Sequence, residues 1–118
     1  MIFLGGGIGA YTRYLTGLYT ARFSPNFPLG TLLVNIIGSF IMGLFFTLFQ
    51  DKFPMQQELK LLITVGFCGA LTTFSTFNMD IWNLFLSGNI TKGIIYIVSN
   101  LLLTILALAL GVILAKQL

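Results

Sequence analysis

Three short polar breaks divide the chain into four apolar runs, and this constrains its fold more than any other feature. The breaks are "RFSPNFP" (22–28), "QDKFPMQQE" (50–58) and "SGNITK" (87–92). Between them lie runs at 2–21, roughly 30–49, about 59–86 and about 93–115. A hydrocarbon core of ~30 Å is crossed by ~20 helical residues, so each run is about one span long. Backbone groups in lipid must find partners within the protein, which makes the spans helices. Of the 118 residues 57% are hydrophobic and 8% charged, against about 25% charged in a soluble domain. A water-soluble globule is excluded. The expectation is an all-α integral membrane protein: one domain over 1–118, helices running up and down, and both termini on one side.

The few charges are scattered. Arg13, Arg22, Lys52, Lys60, Lys92 and Lys116 stand against Asp51, Glu58 and Asp80, for a net charge of +3. They form no basic cluster, which excludes nucleic acid as a partner. There is no histidine and one cysteine, Cys68. Neither a disulfide framework nor a thiol–imidazole metal site can be built, and Cys68 reads as a small packing residue. No nucleophile–base set is present, which speaks against an enzyme. "GGGIGA" (5–10) has the look of a phosphate loop, but it opens no strand–helix unit and lacks the P-loop lysine. No basic region precedes the first apolar run, so 2–21 reads as a span and not as a cleaved signal.

Charge gives almost no vote on orientation. Lys52, Lys60 and Lys116 fall on the terminal side, Arg22 and Lys92 on the other, and Arg13 lies within the first span. Two readings fit: one orientation, or insertion both ways with antiparallel pairing of two copies.

Polar residues inside the spans line up. Thr31, Asn35, Ser39 and Gly43 recur every four residues on the second span, and Tyr96, Asn100 and Thr104 on the fourth. Each set shares a helix face and offers hydroxyl or amide donors. Interhelical hydrogen bonding and an ion pathway both account for such stripes. In the first span Gly5 and Gly9 form a small-xxx-small pair for close helix packing. Arg13 needs a partner or water. Asp80, the carboxylate deep within a span, is one candidate; an aqueous vestibule for each is the alternative.

The third run contains "GFCGALTTFSTF" (66–77). Gly66 and Gly69 loosen a helix, and Thr72, Thr73, Ser75 and Thr76 offer its backbone other hydrogen bonds. The expectation is a non-helical turn at mid-membrane depth, tolerated only where it is buried or lines a cavity. Unwound carbonyls suit a hard cation such as Na+, while hydroxyls and N–H groups suit an anion. Phe74 and Phe77 fall close together, and a phenyl ring has a positive edge. Ordinary core packing is the plainer reading of both rings.

Together "GGGIGAYTRY" (5–14), "GTLLVNIIGSF" (30–40) and "GFCGALTTFSTF" (66–77) resemble the fluoride channel family called Fluc or CrcB, over essentially the whole chain. The resemblance implies a passive fluoride-selective channel of the bacterial membrane, built as an antiparallel dual-topology homodimer with two pores. It implies that Phe74 and Phe77 meet the anion with their ring edges and that Asn35 donates an N–H. Ser75 and Thr76 would lie near the path, and Tyr96, Asn100 and Thr104 would form a polar track. That track usually carries hydroxyls, so Asn100 is a departure. Backbone carbonyls of Gly69 and Thr72 would hold a structural Na+ between two copies, and Arg13 matches a first-helix arginine. Where the family has a serine and then a glutamate after "TTFSTF", this chain has Asn78 and Asp80.

Two other readings stay in view. A small multidrug exporter shares the size and the four helices, but it needs a carboxylate in the first helix, where this chain has Arg13. A membrane scaffold explains the glycines but has no need of Phe74, Phe77 and Asn35.

Overall fold

A computed structural model describes residues 1–51 and 57–118 and shows a bundle of helices, with no strand among the described residues. Most of the "QDKFPMQQE" break falls outside the described residues. Helix α1 spans Ile2–Ala21 and α2 spans Leu29–Asp51. The third run is a composite: α3 (Gln57–Leu61), a π-helical segment (Leu62–Cys68) and α4 (Gly69–Leu71), then a break, then α5 (Ser75–Leu86). Helix α6 spans Ile90–Gln117.

Three helical runs are long and apolar enough to cross a membrane: Leu29–Gln50, Gln57–Leu86 and Ile90–Gln117. Helix α1 has 20 residues, about 30 Å at 1.5 Å per residue. Its glycines, threonines and Arg13 dilute its hydropathy below that of the other three.

The fourth run starts earlier than its spacing suggested. Only Ser87–Asn89 turns; Ile90, Thr91 and Lys92 are already helical. Gly88 adopts φ 82°, a left-handed conformation open to glycine. It lets Asn89 N–H reach back to the Leu84 carbonyl (2.9 Å) and Gly88 N–H to that of Phe85 (3.1 Å). These bonds close α5 and free Asn89 to begin α6 at once.

Glycines set the two closest helix contacts. Along α2 and α6, a Cβ on Gly43 would overlap the Leu108 carbonyl, and one on Gly111 the Phe40 carbonyl. Along α1 and the π-helical segment, Gly5 meets the Leu62 carbonyl and Gly9 that of Phe67. The small-xxx-small pair is therefore a packing seam, as expected. Gly66 belongs to the same seam: a Cβ there would lie 2.8 Å from the Ile2 carbonyl. At Gly66 the chain departs from α geometry, as expected, but as a hydrogen-bonded π-helix and not an open turn; the glycine also serves the approach of α1.

Leu32, Phe77, Leu84 and Tyr96 form the core cluster, flanked by Phe27, Leu29, Ile36, Ile81 and Ile97. Cys68 is buried and packs as a small residue. The outer surface of α6 is apolar along its length, from Ile94 and Val98 through Leu102 and Ile105 to Ile113. Such a surface suits lipid and not water.

A polar cleft at the helix break

The break follows from the hydroxyl run. After Leu71 the backbone leaves the helix, with Thr72 extended at ψ 151°. In an unbroken helix the Thr73 N–H would go to the Gly69 carbonyl; it goes instead to Asn35 Oδ1, at 2.9 Å. The Thr76 N–H, due to Thr72, goes to Thr73 Oγ1 at 3.2 Å and so caps the start of α5. The carbonyls of Gly69 and Thr72 are thereby released from the helical ladder. The carbonyl between them, that of Ala70, accepts a bond from Arg13 Nε at 3.1 Å. Arg13 thus reaches from α1 to hold the break, and its partner is backbone.

The two polar stripes face each other across α2 and α6. Asn35 Nδ2 donates to Asn100 Oδ1 at 2.9 Å, and more distantly to the Thr73 carbonyl at 3.4 Å. Thr104 donates to the Asn100 carbonyl. Above these groups opens a cleft of about 470 Å³. Asn35, Ser39, Asn100 and Thr104 supply its helical wall, with Leu101. Gly69, Thr72, Thr73, Phe74 and Phe77 supply the wall made by the break. The two phenyl rings stand with centroids 5.5 Å apart, tilted by 37°. Phe74 is 63% exposed and Phe77 8%, so one ring faces outward while the other is anchored in the core.

Tyr96 lies behind this cleft. Its side chain is fully buried, 5.3 Å from Phe77 and 5.5 Å from Phe27 between ring centroids. Its hydroxyl donates to Asp80 Oδ2 at 2.8 Å, and the Thr31 hydroxyl donates to the same oxygen at 2.9 Å. Arg13 and Asp80 therefore each find a partner other than the other. Asp80 also borders a second polar cleft, of about 470 Å³, with Thr20, Ser24, Asn83 and Ser87. Ser75 and Thr76 sit beside the main cleft, outside the residues that line it. Ser75 Oγ is 3.4 Å from Thr73 Oγ1.

The structure thus gathers Asn35, Phe74, Phe77, Asn100 and Thr104 with Gly69 and Thr72, and leaves Tyr96, Arg13 and Asp80 around them. Sequence reasoning counted Thr73 among the hydroxyls that compete for backbone hydrogen bonds but did not single it out as the residue that ties three parts of the site together. A hydroxyl three residues before a helical N–H, as in Thr73 and Thr76, is a capping signal that pointed to it. It also missed Thr31 as a donor to Asp80, although the α2 stripe contained it.

Among the described residues no three His, Cys, Asp or Glu side chains form a metal-ligating group. Any cation here would be held by backbone carbonyls. Amide, hydroxyl and phenyl side chains line the site together, with no lysine or arginine among its lining residues. Such donors suit a small anion in transit more than one held tightly.

Fold and site define a multi-pass helical membrane protein whose buried polar groups converge on a broken helix. Residues 1–112 match the family described as CrcB-like protein, Camphor Resistance (CrcB), and the chain belongs to that family. It is 42% identical over 114 residues to a fluoride-specific ion channel FluC of Hahella chejuensis, covering 96% of this chain and 90% of that one. It is 45% identical over 114 residues to the protein of the same name in Magnetococcus marinus, covering 96% and 93%. Over 119 residues it is 39% identical to that of Sulfurihydrogenibium sp., covering 100% and 96%.

Proposed function

We propose that the chain is a passive, fluoride-selective channel that exports F⁻ across the bacterial inner membrane and so confers fluoride resistance. It is a channel and not an enzyme. One observation carries the reading: neutral donors from α2 and α6 share a single cleft with Phe74 and Phe77. Fluoride holds its water tightly. A pore must replace that water with donors weak enough to let the ion leave, several in series. Amides, hydroxyls and the positive edges of phenyl rings meet this need. The names of the relatives support fluoride as the ion.

In this reading α1 is a fourth span, and two copies pair antiparallel in a dual-topology homodimer with two pores. The near balance of charge between the two sides supports insertion both ways. Gly69 and Thr72 would hold a structural Na+ between the copies. Their carbonyls, freed by the break, are hard oxygen donors of the kind such an ion takes. The ion would supply fixed positive charge that steadies the break; Asn35, Thr73 and Arg13 hold the backbone that presents the carbonyls. With Na+ removed from both faces of the membrane, fluoride flux is expected to be lost; full flux there would exclude the cation site.

A proton-coupled exporter is disfavoured because α1 carries Arg13 and no carboxylate. The deciding experiment is fluoride efflux from proteoliposomes under an applied voltage. Efflux without a pH gradient is the expected result, whereas flux that requires a proton gradient would make the protein an exporter.

A further inference from the structure

Arg13 stands on a face of α1 whose position is already set. Gly5, Gly9 and Arg13 recur every four residues and share that face. A Cβ on Gly5 would overlap the Leu62 carbonyl, and one on Gly9 the Phe67 carbonyl, so backbones touch along it. One turn further on, the same face delivers the guanidinium to the Ala70 carbonyl, Nε to oxygen at 3.1 Å. Gly69, Thr72 and Thr73 line the cleft, and Ala70 is not among its lining residues. Its carbonyl oxygen, the negative end of a peptide dipole, is thus tied back toward α1 and out of an anion's way. The guanidinium also brings a charge it cannot lose. It lies about 12 Å from the nearer end of α1, at a depth where a charge is costly to hold. Its bond goes to a carbonyl dipole, while Asp80, the carboxylate deep within a span, takes the Thr31 and Tyr96 hydroxyls instead. No carboxylate cancels the charge in these contacts.

We propose that Arg13 makes the cleft attractive to anions from outside it, as a positioning residue acting through the Ala70 carbonyl and as the fixed positive charge of the break. This rests on the channel reading and goes beyond it. A cationic side chain inside the cleft would hold a small anion too tightly for conduction. A charge behind the cleft wall lowers the ion's energy without touching it. The same charge raises the energy of a permeating cation. The Na+ proposed at Gly69 and Thr72 would use carbonyls other than the one Arg13 takes.

The test is the unitary fluoride current of single channels in planar bilayers, with Na+ held constant on both sides. A folding defect changes the number of channels and leaves the current through each one alone. Arg13→Gln keeps an amide donor for the Ala70 carbonyl but removes the charge. Its unitary current should fall about tenfold, the effect of one lost unit charge at an effective dielectric of about 20. Arg13→Lys keeps the charge and should conduct nearly as well as the wild type at neutral pH. Lysine can lose its proton at alkaline pH and arginine cannot. The R13K current should therefore fall reversibly as pH rises, while the wild-type current stays level. Glu58, Lys60 and Cys68 in the segment that packs against α1, and Tyr11 and Tyr14 beside Arg13, are common to both proteins, so the wild-type profile accounts for them. R13Q with a wild-type unitary current would overturn the proposal. So would an R13K current that stays level up to about pH 11, beyond the ordinary lysine range; this arm decides the matter even where R13Q does not fold. No fluoride current in the wild type would sink the channel reading and this proposal with it, whereas wild-type current with R13Q unchanged would overturn this proposal alone.

Discussion

The glycine seams and the helix break solve opposite problems with opposite means. At the seams, where α1 meets the π-helical segment and α2 meets α6, contact is made by removing side chains until backbones touch. At the break, side chains are added that compete with the backbone for its own hydrogen bonds. The first device gives van der Waals contact in a medium where burying apolar surface against lipid gains little. The second leaves carbonyls and N–H groups available for something other than the helix. The comparison teaches that rigidity and function are held apart. The seams fix the frame, and the break, pinned by Arg13 on one side and Asn35 on the other, carries the polar groups.

If that division holds, changes at a seam abolish the fold, while changes at the break abolish transport alone. The largest effect is expected for Gly111→Leu, which drives a side chain into the Phe40 carbonyl and the α2 backbone. Overpacking of this kind costs about 1–3 kcal/mol or more, and here backbone cannot yield. Loss of a monodisperse peak in gel filtration is the outcome that supports the seam; a well-behaved variant would break the comparison.

Next comes Phe77→Ile, together with Asn35→Asp. Each should abolish fluoride flux while the protein elutes as the wild type does. Unchanged flux in both would turn the reading toward a membrane scaffold. A smaller effect belongs to Asp80→Leu, which strands the Thr31 and Tyr96 hydroxyls. A buried hydroxyl without its partner costs about 1–3 kcal/mol, so a fall in melting temperature in detergent is expected, read by intrinsic fluorescence. The smallest effect is assigned to Gly7→Ala. Nothing lies within 4 Å of a Cβ there, and alanine favours a helix over glycine by about 1 kcal/mol. Stability should stay level or rise slightly. A marked loss would show that this face of α1 is a seam too.

Much of the frame was legible in the sequence. The bounds of α1 agree with its apolar run, and the four-residue spacing put Asn35 and Asn100 each on a polar face of its helix; that the two faces meet is what the fold adds. The small-xxx-small pair announced the α1 seam. These signals are local, since the helical period alone decides which residues share a face. What escaped was pairing between distant segments. Arg13 finds the Ala70 carbonyl across 57 positions, and Thr31 finds Asp80 across 49. No spacing rule encodes either. The π-helical form of 62–68 was only half legible: Gly66 signalled a loosened helix, but its close contact with α1 was not readable from spacing. Thr73 was hidden among neighbouring hydroxyls. Its distinction comes from Asn35, which is brought to it by the fold.

The central claim is that anions move through the donor-lined cleft at the break, and conductance tests it most directly. Purified protein in a planar bilayer, with NaF on both sides, should carry a steady voltage-driven current that vanishes when NaCl replaces NaF. No current in fluoride, or equal currents in the two salts, would contradict the account.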